Sequence, residues 1–324
     1  TSVNEQRPRG RAVALAMVAL AAVVTAQALL QGSWIDEAYA HPTSIRGSGT
    51  SSRLHHHNGP MPAWEAMPPG AYNPVVPTGR HAVQVPILMY HYIRVPPDPG
   101  SDHLGWGLST SPEDFRQQMD YLDSNGFHTI TLTQLRAYLV GKHSLPDKPV
   151  VLTFDDGYAD VYTEAFPVLK QHHFTGVAYI VSGFVGRSGS NVMPEQVREM
   201  DAYGIEIGAH TVNHADLTKA GGSLAYEVGG SKAALEALVG HPVLDFCYPA
   251  GQYDAAVVQA VLAAGFESAT TTQPGTIHSL DDRFSWTRVR VSGSESLADY
   301  ADNLRAHETG VAPTQVRPIQ IPRA

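Results

Sequence analysis

Strand-length apolar runs alternate with helix-length amphipathic segments through the middle of this chain. A chain with that rhythm buries its strands as a parallel sheet covered by helices. Ser111-Pro112-Glu113-Asp114 opens the first helix, with Ser as N-cap, Pro in the first turn and acids at the positive end of the helix dipole. Phe115, Met119 and Leu122 give it an apolar stripe, and Gly126 ends it. The pattern then predicts strands over residues 127–132, 150–154, 177–181 and 204–209. Between and after them it predicts helices over 135–140, 161–171, 194–203, 224–239 and 254–264. No internal sequence repeat accompanies this rhythm.

Two of the strands end in chemistry. The run from Val150 to Phe154 stops at Asp155-Asp156-Gly157, and the run over 204–209 stops at His210-Thr211-Val212-Asn213-His214. Active sites of parallel α/β folds lie at the C-terminal ends of strands. Side chains alternate along a strand, so adjacent carboxylates leave its end in different directions. One can face a metal while the other faces water or substrate, and Gly157 lets the chain turn sharply. On a helical turn, His210 and His214 would share a face. One carboxylate and two imidazoles make a three-ligand site with open positions, and the second carboxylate stands where a base for a bound water belongs. Each motif alone is common. Asp-Asp-Gly is an ordinary turn, and a chain with 16 histidines holds close pairs by accident. His55-His56-His57, among Ser, Gly and Pro, reads as a flexible tract or adventitious metal binder. Each following its own strand, the two motifs together suggest metal-assisted hydrolysis.

Thr153-Phe154-Asp155-Asp156-Gly157-Tyr158 resembles the first motif of the polysaccharide deacetylases, the NodB-like domain of carbohydrate esterase family four. His210 to His214 is similar to their second motif, His-Ser/Thr-x-x-His, and Phe246-Cys247-Tyr248-Pro249-Ala250-Gly251 to their third, in the same order. The resemblance extends from about Val85 to about Val291. It implies an α/β fold, a distorted and incomplete (β/α) barrel. It implies Asp155 as general base, Asp156, His210 and His214 as metal ligands, and the Tyr248 backbone N–H as donor to the oxyanion, with Pro249 in a rigid turn. Tyr158, Pro249 and Gly251, in the same motifs, are expected to bind substrate.

The sequence departs from the family pattern twice. The third motif usually begins with an arginine that steadies the catalytic Asp, where this chain has Phe246 and Cys247. Arg288 or Arg290, in the late strand-like run Thr287-Arg288-Val289-Arg290-Val291, could replace it, and Arg290 is the expectation. Family members usually end in a Leu-x-His motif that supplies the general acid, and nothing after residue 291 resembles it. Val85-Pro86-Ile87-Leu88-Met89-Tyr90-His91, however, is an apolar strand ending in a histidine. It resembles the opening strand of the poly-β-1,6-N-acetylglucosamine deacetylases, in which the domain looks circularly permuted. The resemblance implies His91 as the acid. A barrel closes on itself, so moving a strand from one terminus to the other preserves the site.

The ends of the chain are different in kind. Arg7, Arg9 and Arg11 precede an apolar stretch from Ala12 to about Leu30, the pattern of an export signal or membrane anchor. Ala26-Gln27-Ala28 and Ala38-Tyr39-Ala40 offer cleavage sites, so residues 1–40 are either removed or retained as an anchor. Residues 41–84, rich in Pro, Gly, Ser and His, read as a disordered linker, residues 85–308 as the catalytic domain and 309–324 as a loose tail. The expected location is outside the cell, secreted or anchored facing outward. A net charge of −9 and no basic stripe argue against nucleic acid. The single cysteine, Cys247, forms no intrachain disulfide and reads as a packing residue. No Gly-x-Ser-x-Gly elbow, P-loop or Gly-x-Gly-x-x-Gly fingerprint follows a strand.

The expected activity is therefore metal-dependent removal of acetyl groups from an N-acetylglucosamine-containing polysaccharide, releasing acetate. Zinc is the expected metal; cobalt, nickel, manganese and iron suit the same donors. Amide is favoured over ester through the permuted-subgroup resemblance, with acetylated xylan and peptidoglycan as alternatives. Two other classes stay open: a carbohydrate-binding protein that has lost a catalytic group, and a non-haem iron oxygenase, whose triad is also two His and one carboxylate. Trp106 and Trp286 could stack on sugar rings or pack in the core.

Overall fold

The computed structural model describes residues 82–308 except Ser188 and Ser294. The expected signal or anchor, nearly all of the linker and the tail lie outside the described residues. Among the described residues no helix is long and apolar enough to cross a membrane.

Seven parallel strands form a closed ring. They are β1 (Ile87–Tyr90), β2 (Pro149–Phe154), β3 (Val177–Ile180), β4 (Glu206–Ala209), β5 (Asp245–Cys247), β6 (Ser268–Pro274) and β7 (Trp286–Arg290). Each pairs with the next, and β7 returns to β1 with Val289 opposite Leu88 and Arg290 opposite Met89. The order around the barrel is therefore the order along the chain. The ring has one strand fewer than the eight-stranded barrel, which is the sense in which it is incomplete.

Alternation along the strands sorts the core into two sets. Leu88, Tyr90, Leu152, Phe154, Ala178, Ile180 and Phe246 pack with the helix residues Phe115, Met119, Val197 and Leu235. Ile87, Val151, Val177, Tyr179, Cys247 and Trp286 make the second set. The polar residues His91, Thr153, Asp155, His210 and Arg288 continue the parity of the second set, so the strand period itself gathers them.

The opposite end of the barrel is tied by charge. Arg136, from the helix Leu132–Leu139, is buried and pairs with Asp245 at the start of β5, Glu206 at the start of β4 and Glu267 just before β6. Burial and the neighbouring Asp245 hold Glu206 above the usual carboxylate range although Arg136 opposes them. This end is structural, as the N-terminal face of such barrels is.

The helix over Pro112–Ser124 has the expected cap, with Ser111 Oγ accepting from the Asp114 N–H. The helices Pro194–Tyr203 and Ala255–Ala263 match the sequence pattern. Three expectations are corrected. The strand over 127–132 shrinks to His128–Thr129, because Thr131 and Gln134 form a capping box that starts the next helix at Leu132. The helix over 161–171 opens as a π turn, Val161–Ala165, and becomes α only at Phe166–Gln171, where Pro167 sits in the first turn and has no N–H to give. The helix over 224–239 likewise begins as a π turn at Tyr226–Gly230, containing the Gly pair, and is α over Ser231–Val239. At the end of the expected linker, Ala82–Gln84 form a short strand antiparallel to Ile277–Ser279. Trp286 is fully buried and its Nε1 donates to the Ser279 carbonyl at 3.0 Å, so it packs in the core; Trp106 is half-buried and stacks on His103.

Candidate active site

The C-terminal ends of β1, β2, β4, β5 and β7 converge. Asp155 leaves β2 in extended continuation, its N–H donating to the Tyr90 carbonyl at 3.0 Å. Asp156 then turns into the left-handed region at φ 74°, and Gly157 follows at φ 67°. A non-glycine residue held there costs on the order of 1 kcal/mol or more and is characteristic of functional sites. The turn separates the two carboxylates as the alternation argument requires.

Asp155 faces Arg288. Nη1 of Arg288 donates to Oδ1 and Nη2 to Oδ2, each at 2.7 Å. The same guanidinium also donates to Thr153 Oγ1 at 2.9 Å, to the Thr271 carbonyl at 2.8 Å and to Cys247 Sγ at 3.2 Å. Burial works to raise Asp155, yet Arg288 holds its carboxyl below the usual range. The expectation for Arg290 is thus corrected: it has the same strand parity, but lies one rung nearer the rim and is exposed. Arg288, one rung deeper, is level with Asp155.

Asp156 faces the histidines. Its Oδ1 lies 3.3 Å from His210 Nε2 and 3.2 Å from His214 Nε2. Among the described residues that buried oxygen has no assigned hydrogen-bond donor. His210 Nδ1 is 2.7 Å from the Cys247 carbonyl, to which it donates, so Nε2 is the nitrogen that faces Asp156. An orphaned carboxylate oxygen met by two imidazole nitrogens suits a divalent cation, and the three ligand atoms all lie within 4.8 Å of one another. Asp155, His210 and Cys247 are as close together, but Arg288 already occupies both oxygens of Asp155 and brings a positive charge. The triad of Asp156, His210 and His214 is the metal site the geometry supports.

The His pair does not sit on a helical turn. It is carried by an irregular loop in which Thr211 has φ 67° and His214 φ 57°. Two left-handed residues bring the side chains together where the sequence spacing suggested a helix.

His91, at the end of β1, places Nε2 3.8 Å from Asp155 Oδ2. Burial pushes its pKa down to about 4, against the pull of Asp155 and Asp156, so the imidazole is neutral at pH 7. Tyr158 stacks on Tyr92 with ring centroids 3.7 Å apart, and the Arg94 guanidinium covers the other ring at 3.6 Å. Pro249 is buried. Gly251 has φ 69°, and a β-carbon there would collide with Thr272, so its requirement is conformational. The Tyr248 N–H is corrected as an oxyanion donor, because it already donates to the Thr270 carbonyl at 3.2 Å. Pro249 has no N–H, so the next donor along this turn is that of Ala250, exposed and at φ 51°.

The family model described as polysaccharide deacetylase matches residues 142–269. A putative polysaccharide deacetylase of Bacillus subtilis, YxkH, is 30% identical over 210 residues, covering 64% of this chain and 72% of the relative. The chain belongs to the polysaccharide deacetylase family. A solved structure, the Streptococcus pyogenes deacetylase PplD in complex with acetate, superimposes with a TM-score of 0.61 at 28% identity, covering 66% of this chain and 95% of that one. A segment of the poly-β-1,6-N-acetyl-D-glucosamine N-deacetylase of Escherichia coli (strain K12) is 37% identical over 78 residues, which is 24% of this chain and 12% of that protein. The match to the deacetylase family model stops at β6 and starts before β2. Both His91 and Arg288 therefore lie outside it, on the two strands that close the ring.

Proposed function

We propose that this chain is a divalent-metal-dependent N-deacetylase acting on an N-acetylglucosamine polysaccharide, releasing acetate and leaving a free amine. The observation that carries the reading is the division of labour at the end of β2. Asp155 is clamped by Arg288, while the adjacent Asp156 presents an unpartnered oxygen to two imidazole nitrogens. A β-1,6-linked polymer is the favoured substrate, supported by the Escherichia coli relative and by the histidine at the end of the first strand. Action outside the cell rests on the basic and apolar pattern of residues 7–30.

Asp156, His210 and His214 would hold the cation, which when bound supplies an acidified water and a polarised acetyl carbonyl. Asp155 takes the proton from the attacking water on a lone pair left free by Arg288. Arg288 keeps the carboxylate oriented and charged beforehand. The Ala250 N–H donates to the oxyanion. A neutral His91 at 3.8 Å from Asp155 receives the proton and passes it to the departing nitrogen. The C–N bond breaks, and acetate and amine leave with protons accounted for.

The test is acetate release from β-1,6-linked N-acetylglucosamine oligomers and from chitin oligomers. The protein is stripped of metal and reloaded with zinc, cobalt or nickel, with His91→Ala in parallel. Metal-dependent acetate that collapses in the variant supports both the chemistry and the role of His91. Metal-dependent acetate that persists in the variant removes the role of His91 alone. No acetate with any metal on either oligomer overturns the N-acetylglucosamine reading.

A further inference from the structure

The loop that carries the two histidines is bent into an unfavourable backbone, and something must hold it there. Thr211 and His214 are both left-handed without being glycine, and such residues persist only where their surroundings over-determine them. From one side the Ser182 N–H donates to the Thr211 carbonyl at 3.1 Å and the Gly183 N–H to the Val212 carbonyl at 2.9 Å. A β-carbon on Gly183 would lie 2.5 Å from that Val212 oxygen, so the approach requires glycine.

From the other side stands a single carboxylate. Glu227, on the π turn Tyr226–Gly230, is 4% exposed. Its Oε2 accepts from the Val212 N–H at 3.1 Å and the Asn213 N–H at 2.9 Å, and its Oε1 accepts from Asn213 Nδ2 at 2.8 Å. Three donors from two consecutive residues converge on one buried carboxylate, and those residues are two of the three between the histidines. Charge-assisted bonds of this kind are about twice as strong as neutral ones. The two imidazoles differ in what else orients them. His210 is fixed through Nδ1 by the Cys247 carbonyl. His214 contacts Asp156 and the His210 ring, and among the described residues its second nitrogen has no such bond. Its position depends on the backbone beneath it.

We propose that Glu227 is the positioning residue of the metal site, acting on His214 through the backbone of Val212 and Asn213. This rests on the metal-site reading above. It accepts no hydrogen bond from a ligand side chain, so its effect is on where His214 Nε2 stands, not on ligand basicity.

The test is zinc affinity of the full chain, by competition with a fluorescent chelator, together with the zinc-induced rise in Tm. Both are measured for wild type, Glu227→Ala and Glu227→Gln. Glu227→Ala is expected to weaken zinc binding about 10–100-fold, the usual effect of removing an outer partner of a metal site, and to shrink the zinc-induced rise in Tm. Glu227→Gln keeps acceptor oxygen but places an amide N–H group against backbone donors, and is expected to fall between. Glu227→Ala with lowered metal-free Tm but wild-type zinc affinity shows a purely structural carboxylate and overturns the proposal. If Glu227→Ala does not fold, Glu227→Gln decides by the same criterion. A wild-type chain that binds no zinc overturns the metal-site reading and this proposal with it; a wild type that binds and a variant that binds equally overturns only the role of Glu227.

Discussion

Arg288 reaches Asp155 from the last strand of the barrel and closes on both oxygens of its carboxylate, 2.7 Å from each. Both side chains are almost wholly buried. A buried pair contributes modestly as a pair, but loss of one partner leaves an uncompensated charge that costs about 3–5 kcal/mol. Arg288→Ala should therefore lower unfolding free energy by about that much and abolish activity. Arg290→Ala, at an exposed rim position, should stay within about 0.5 kcal/mol of wild type. Urea unfolding of the two variants side by side checks the assignment, and equal effects would remove it.

Asp155→Asn should cost about 10²–10⁴-fold in turnover, the range typical of a general base, while leaving zinc affinity near that of the wild type. Asp156→Asn should lose zinc binding outright. Isothermal titration with zinc separates them, and a loss of binding in both would merge the two carboxylates into one function.

Removing the cation should change stability as well as activity. A site that binds only the folded state stabilises it by mass action, and among the described residues Asp156 Oδ1 has no assigned donor to replace the ion. Differential scanning of the chelated and zinc-loaded protein should show a higher Tm with zinc, and His214→Ala should abolish most of the difference. A Tm indifferent to zinc would argue against the triad.

His278 contributes to the pH dependence of stability, as His91 does. It is fully buried, with Nε2 3.0 Å from the Val85 carbonyl, and burial pushes its pKa from 6.5 down to about 4. The unfolded chain binds a proton there first. The contribution is therefore fully present above about pH 6.5 and is lost as pH falls from 6.5 toward 4, by on the order of 3 kcal/mol at most. His278→Gln, which keeps a donor for Val85, should flatten the stability profile over that window. A profile unchanged by the substitution would assign the acid limb to other groups.

Much of the site was legible because strands have a period of two. Asp155, His210 and His91 each follow an apolar run, and a parallel barrel brings strand ends together. The same period could not choose between Arg288 and Arg290, which share parity; depth along the strand decided, and depth depends on how β7 registers against β1. The spacing of His210 and His214 also fits a helix, so the left-handed turns at Thr211 and His214 carried no local signal in a non-glycine sequence. The role of the Tyr248 N–H is not legible in the sequence because that group belongs to the ladder with β6, a tertiary fact. Glu227 carries no sequence signal for the same reason: it lies in a segment whose pattern is simply helical, and its importance comes from what it touches. The one clue was Gly229-Gly230 beside it, an oddity in a helix.

The ring closes between β7 and β1, and this sets a timetable for a chain made from its N-terminus. By the time His214 has emerged, every ligand for the cation exists and His91 is in place. The carboxylate that would activate water still lacks its counter-charge, because Arg288 comes some seventy residues later on the strand that completes the barrel. An unfinished domain can hold the parts of a metal site yet cannot steady its base. The proposed hydrolysis thus depends on the completed circle, because the counter-charge of Asp155 arrives on the strand that closes it.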